Sequence, residues 1–161
     1  MTTATVSDVA DFAPASPPLV GEPEGLGVVG MPTNFVVDAE THTVSAEIFD
    51  VPVQVRFTPV SYLFVYGDGT TRESTTAGRE WSELGVPQFT ATETSHSYDD
   101  VGTYTARVDV RYAAAGDAGF GWFPIDGLLT VPSATTGIRV VEVETALVER
   151  TCREDPGGPG C

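Results

Sequence analysis

Alternating apolar and polar side chains are the clearest pattern in the chain, and they run through residues 103–112. The even positions from 106 onwards are Ala, Val, Val and Tyr, whereas the odd positions carry Thr, Arg and Asp. Because successive side chains of a strand point to opposite faces, this alternation predicts a β-strand with one buried face and one exposed face.

Other segments rich in β-branched and aromatic residues predict further strands. They cover residues 34–38, 43–49, 51–57, 61–66, 88–92, 96–98, 127–131 and 137–147. Helical periodicity is weak throughout. Only residues 79–85 are expected to form one short helical turn, because Trp81 and Leu84 are three residues apart. The chain as a whole is therefore predicted to be all-β.

Three separated segments form a signature that runs into the alternating strand. The signature residues are Phe64, Tyr66, Gly67, Asp68, Gly69, His96, Tyr98, Gly102 and Tyr104. Phe64 and Tyr66 are two apart, so they share one face of a strand. The Gly-Asp-Gly run that follows supplies the positive φ angles and the carboxylate that a tight turn needs. In composition and order these residues resemble the signature of PKD domains.

The resemblance implies a PKD or immunoglobulin-like β-sandwich, a fold used as a scaffold that binds, spaces or assembles. It implies that His96 is structural and that the Tyr104 hydroxyl hydrogen-bonds back to the chain, as in the tyrosine corner of immunoglobulin-like domains. The wider arrangement, with residues 8–12 and 152–161, is similar to uncharacterised secreted PKD-containing proteins of actinobacteria. That similarity implies an extracellular or cell-surface location.

The chain departs from the PKD pattern in two respects. Phe64 and Tyr66 stand where the family has Trp and Phe, and residues 71–95 are longer than a PKD repeat allows between its motifs. We therefore expect a sandwich over residues 31–149 with a long insertion and extra C-terminal strands. Residues 1–30, rich in Pro and Gly, are expected to be an arm or linker. This segment is either a docked or floppy terminus, the favoured interpretation, or an arm donated to a second copy, and residues 26–29 can lay a short strand against the body.

The charge balance narrows the choice of partners. The formal net charge is −15 and every basic side chain is Arg, so phosphate backbones and anionic lipid surfaces are repelled. No apolar stretch approaches the roughly 20 residues that span a bilayer, so direct membrane insertion is not expected. The chain shows no export signal, and the extracellular expectation implies that one has been removed.

The two cysteines lie close together at the C-terminus. Cys152 and Cys161 enclose a Pro/Gly-rich loop, and a disulfide between them would close the tail, residues 150–161, and imply an oxidising compartment. Two free thiols or half of a metal site are the competing interpretations. A zinc site with four ligands is disfavoured, because the chain has no other Cys and only two His.

Catalytic chemistry finds little support among the residue types. His42 and His96 are the only histidines, and neither a Gly-x-Ser-x-Gly elbow nor a phosphate-binding Gly loop occurs. Acidic residues in turns, such as Asp68 and the Asp99-Asp100 pair, are better explained as turn formers than as calcium ligands. We therefore expect no enzyme activity, no cofactor and no metal.

Aromatic side chains provide the candidate binding residues, which are Trp81, Phe120, Trp122 and Phe123. Exposed aromatics on the loops of a sandwich can stack on sugar rings or anchor a protein partner. Alternatively they cap the open ends of the sandwich, which is the favoured interpretation for Trp81 and an equal alternative for Trp122.

The expected function is a binding or adhesion module for a protein or carbohydrate on the cell surface. The alternative is a structural subunit of a surface filament or phage-type assembly. Such a subunit would self-assemble by exchange of its N-terminal arm and by pairing of edge strands.

Overall fold

The computed structural model describes residues 4–143 of the chain. This part contains ten strands and two single-turn helices, joined by turns and loops. The helices are α1 (Val6–Val9), which a 3-10 turn at Ala10–Phe12 follows, and α2 (Trp81–Leu84). The strands are β1 (Leu19–Glu22), β2 (Leu26–Val28), β3 (Pro32–Val37), β4 (His42–Ile48), β5 (Val51–Val65), β6 (Thr71–Ser74), β7 (His96–Ser97), β8 (Gly102–Asp117), β9 (Trp122–Pro132) and β10 (Thr136–Val141).

The two longest strands, β5 and β8, pair antiparallel along almost their whole length. Their register is interrupted only between Pro59 and Ser61, where proline has no N–H to donate to a neighbouring strand. The two strands predicted over 51–57 and 61–66 are thus one bent strand. Because β5 and β8 are so long, two shorter strands pair one after the other along the second edge of each.

The larger sheet grows outwards from this pair. β4 and β6 lie beside the first and second halves of β5, while β10 and β9 lie beside the first and second halves of β8. β2 extends the sheet by parallel pairing with β10. The second sheet has the order β1–β3–β7. Apolar side chains of both sheets fill the space between them, as in a β-sandwich.

The alternating pattern is confirmed along β8. Ala106, Val108, Val110 and Tyr112 are buried, whereas the odd positions between them are exposed or half-buried. The strand continues five residues beyond its predicted end, through an Ala-Ala-Ala-Gly-Asp run whose composition carries no strand signal. Hydrogen-bonded pairing with β5 and β9 stabilises the extended conformation that these residue types do not favour by themselves.

The all-β prediction is confirmed, and so is the single helical turn within 79–85, which is α2. The predicted strand over residues 88–92 is wrong, because that segment forms turns and irregular loop. β1 and β6 were not predicted: both are four residues long with Gly, Glu or Arg among them, so they form through their pairing partners β3 and β5 rather than through composition.

The described part of the N-terminal segment belongs to the sandwich rather than forming a separate arm. β1 pairs with β3, β2 pairs with β10 as the apolar run at 26–29 allowed, and Val9 is fully buried in the core. The apolar residues spaced along this Pro-rich stretch explain why it docks. Cys152, Cys161 and the tail at 150–161 lie outside the described residues, so the predicted disulfide remains a prediction.

Substitution in the N-terminal segment tests this docking. Val9→Ala is expected to lower the free energy of unfolding by about 2 kcal/mol, because it removes two buried methyl groups and leaves a cavity. Val20→Ala, at a position 49% exposed, is expected to change it by less than about 0.5 kcal/mol. Urea denaturation measures both. Equal, small effects would mean that the segment does not pack on the core.

Candidate functional site

The signature residues gather at one end of the sandwich as a stack of rings. The His96 imidazole lies parallel to the Tyr66 ring, with centroids 4.3 Å apart, and meets the edge of Tyr98 at 4.8 Å. Tyr98 in turn stacks on Tyr104 at 4.6 Å. Phe64, in β5, and Tyr66, directly after the strand, are both buried and their rings stack at 6.2 Å, on one side of the chain as their spacing predicts.

Each tyrosine of this stack donates its hydroxyl hydrogen to a main-chain carbonyl. Tyr66 donates to Thr94, Tyr98 donates to Tyr66 and Tyr104 donates to Asp100. The last bond, 2.9 Å long, reaches back four residues and confirms the predicted return of the Tyr104 hydroxyl to the chain. Burial raises the pKa of Tyr66 to about 12 and raises the pKa of Tyr98 as well. The hydroxyls of Tyr66 and Tyr98 therefore stay protonated near neutral pH and serve as hydrogen-bond donors to the main chain.

The Gly-Asp-Gly turn is tied to the same stack. Gly67 has φ +93°, and a Cβ atom there would collide with the carbonyl oxygen of Thr105, so only glycine fits. Asp68 accepts a hydrogen bond from the Thr70 amide with one oxygen and lies 2.6 Å from His96 Nε2 with the other. His96 is therefore engaged by a carboxylate and by tyrosine rings, an arrangement that stabilises the turn.

A second group of aromatic residues lies at the far end of β8, in the turn that joins β8 to β9. Asp117 Oδ1 accepts hydrogen bonds from the amides of Gly119 and Gly121, at 2.7 and 3.2 Å. Both glycines have φ +106°, a left-handed value that other residues rarely adopt. Between them stands Phe120, which is 98% exposed. The backbone of the turn is thus ordered around a free aromatic ring.

The two residues after this turn are held by contacts across the sheet. The Arg56 guanidinium lies 4.2 Å from the centre of the Trp122 ring, a cation–π distance. In the strand register Arg56 and Trp122 lie on either side of β8, on the face where Ala115 is too small to separate them. Phe123 covers Gly116 on the opposite face, so closely that a Cβ at Gly116 would clash with its ring. We call Phe120, Trp122 and Phe123 the aromatic tip.

Further apolar side chains are exposed at the same end of the sheet. The turn between β4 and β5 carries Phe49 and Val51, both about half exposed. Gln54 and Asp117 form the last pair between β5 and β8, and Val51 and Phe120 each stand three residues beyond it. Two neighbouring hairpin turns therefore present apolar surface together, of which the sequence analysis found only the β8–β9 part.

Trp81 is not part of this surface. It is only 3% exposed, stacks at an angle on Phe89 and donates its indole hydrogen to the carbonyl of Thr90. Its ring is therefore packed within the insertion and offers no open face to a ligand. Trp122 is 44% exposed, so its ring remains accessible despite Arg56.

Buried Asn34 attaches the insertion to the sandwich, and the sequence analysis missed it. Its amide group donates to Glu22 Oε1 and to the carbonyl of Arg79, while its oxygen accepts from Thr92 Oγ1. Glu22 Oε1 also accepts from the Trp81 amide. A lone Asn in a strand carries no signal of such a role. Asp117 was also missed, although an Asp followed by alternating glycines is a recognisable turn pattern.

A cleft of about 370 Å³ lies under the insertion. Threonines at 76, 90, 92 and 94 line it together with Arg79 and apolar residues. Three of these hydroxyls already donate to protein acceptors, namely the Pro87 carbonyl, Asn34 and the Phe35 carbonyl. Most hydroxyls of the cleft are therefore already committed to the protein, and Arg79 and Glu93 are its charged lining residues. The aromatic tip, with its exposed rings, is the better candidate site.

The described part of the chain holds neither a grouped metal-ligand set nor a membrane-spanning helix. Among residues 4–143, no three His, Cys, Asp or Glu side chains are grouped to hold a metal ion. No helix within that described range is long and apolar enough to cross a membrane. No protein-family model and no curated protein matches the chain.

Acid titration tests the role of Asp68. Burial opposes its ionisation, but the hydrogen bonds from His96 and from the Thr70 amide outweigh that effect and lower the pKa of Asp68. A carboxyl whose pKa is lower when folded stabilises the fold above its unfolded pKa, about 3.9, and loses that contribution as pH falls further. The free energy of unfolding should therefore fall more between about pH 4 and pH 2 in the unmodified chain than in Asp68→Asn. Asp99→Asn, at an exposed position, is the control, and matching acid profiles for all three proteins would contradict the assignment.

The two tryptophans should respond differently to removal. Trp81→Ala is expected to cost about 3–5 kcal/mol of unfolding free energy, because a buried indole and its hydrogen bond are lost. Trp122→Ala is expected to cost about 1 kcal/mol, mainly the contact with Arg56. Denaturant unfolding measures both. A larger loss for Trp122 would show that its ring belongs to the core and not to a binding surface.

Proposed function

We propose that the chain is a non-enzymatic extracellular or cell-surface module that binds a protein or carbohydrate partner through its aromatic tip. The observation that carries the proposal is Phe120, an almost fully exposed aromatic ring on a turn that Asp117 and two glycines hold in one conformation. Exposed aromatic rings are costly in water and are enriched where surfaces are buried on binding.

Several further observations support this assignment. The resemblance of the signature residues to PKD domains favours a scaffold fold and a location outside the cell. The engagement of His96 by Asp68 and by the surrounding tyrosine rings favours a structural use of that histidine over a catalytic one. The net charge of −15 disfavours nucleic acid as a partner.

A structural subunit is the second candidate. β1 and β2 precede Gly30, an exposed residue with φ +75° that is suited to a hinge. Opening there would let β1 and β2 make the same pairs with β3 and β10 of a second copy, which is arm exchange. β4 pairs on one side only within the described sheet and provides an edge for strand pairing.

A retention experiment tests the binding proposal. The labelled full chain is applied to whole actinobacterial cells, read by flow cytometry, and to a glycan array. The double variant Phe120→Ser/Trp122→Ala is expected to lose about tenfold or more in retention, because the aromatic contact area is removed. Val101→Ser removes an exposed apolar side chain near the other end of β8 and is the matched control.

Two outcomes would contradict the proposal. Equal retention of the double variant and the unmodified chain would show that the aromatic tip is not the contact. No retention on either probe, together with a light-scattering mass of several chains for the full chain, would favour the structural subunit.

A further inference from the structure

We infer that the partner of the aromatic tip is a folded protein surface with a concave apolar pocket surrounded by basic side chains. This inference rests on the proposed binding function and names the chemistry of its partner. It follows from three properties of the tip: its shape, its order and its charge.

The shape of the tip is convex. Asp117 and Trp122 form the last pair between β8 and β9, and the turn beyond them lifts Phe120 clear of the sheet. Cβ atoms added at Gly119 or Gly121 would meet nothing within 4 Å, so open space surrounds the ring. A concave surface can bury both faces of the protruding Phe120 ring, whereas a saccharide stacks on one flat ring face. Trp122, the best candidate for such a face, has one side occupied by Arg56.

The order of the tip favours insertion into a preformed pocket. The two hydrogen bonds to Asp117 restrain the turn, Arg56 restrains Trp122, and Phe123 packs on Gly116. Because these groups are restrained before binding, little conformational entropy remains to be lost when a partner closes around Phe120. Such a ring, central and flanked by less exposed aromatics, has the arrangement of an interface hot spot.

The charge around the tip is acidic. The two hairpin segments at this end, residues 47–56 and 115–126, contain four carboxylates and one guanidinium. They are Glu47, Asp50, Asp117, Asp126 and Arg56. The guanidinium is already engaged by Trp122. A pocket with an Arg- or Lys-rich rim complements this field, whereas a second copy of this acidic chain or an anionic membrane does not.

A display library of small folded domains with randomised surface loops tests the inference, with the immobilised full chain as target. The tightest independent clones are expected to lose about tenfold or more in affinity for Phe120→Ser and to keep their affinity for Val101→Ser. Their selected loops should combine apolar residues with Arg or Lys, and raised salt should weaken their binding. An unchanged melting temperature for Phe120→Ser, expected because its ring is exposed, shows that folding is unaffected.

A second variant separates order from contact area. Asp117→Ala keeps Phe120 but removes both hydrogen bonds that restrain the turn, together with one carboxylate of the acidic field. Measured at raised salt, where the lost charge contributes little, the same clones should bind it about three- to tenfold more weakly. Unchanged affinity for Asp117→Ala would show that a restrained turn is not needed.

The outcomes also distinguish failure of the inference from failure of the proposed function. Clones that require Phe120 but carry no basic residues, or bind independently of salt, would overturn the inference and leave the binding function in place. Clones indifferent to Phe120→Ser would overturn both. Phe120-dependent binding to a glycan array, or to phosphatidylcholine vesicles, in the absence of such clones would assign the tip to a different class of partner.

Discussion

The antiparallel pairing of β5 with β8 is the constraint on which the rest of the structure depends. The two strands are long enough for four other strands to share their outer edges, and their inward side chains supply much of the buried core. Because a strand exposes alternate residues, the pairing register also decides which side chains face solvent. The core and the exposed surface of the larger sheet therefore follow from a single register.

The two ends of this strand pair are built in opposite ways. At one end, the rings of Tyr66, His96, Tyr98 and Tyr104 stack. The three tyrosine hydroxyls donate to main-chain carbonyls and His96 pairs with a carboxylate, so the polar groups are satisfied internally. At the other end, hydrogen bonds from the turn to Asp117 leave the aromatic tip outside the core. The same strands thus carry an end devoted to stability and an end on which the proposed binding function rests.

The insertion shows how a segment with little secondary structure acquires a defined position. The Asn34 amide group hydrogen-bonds to Arg79 and to Thr92, which lie in the first and last parts of the insertion. Trp81 packs between these parts, within the insertion. A buried amide left without its partners would cost free energy, so the network favours one placement of the loop. This arrangement explains why Trp81 is buried in packing, although tryptophan is a residue type common in binding surfaces.

The sequence alone determined the all-β class, the alternating strand, the turn at Gly67 and the return bond of Tyr104, because each depends on residues close together in the chain. It also singled out Phe120, Trp122 and Phe123 as candidates. It did not determine the strand at residues 113–117, the loop at 88–92 or the docking of residues 4–30, since these depend on distant partners. Only the tertiary structure decided that Trp81 is buried and Phe120 is exposed: burial is a property of packing between segments far apart in sequence, and an aromatic residue is compatible with either environment.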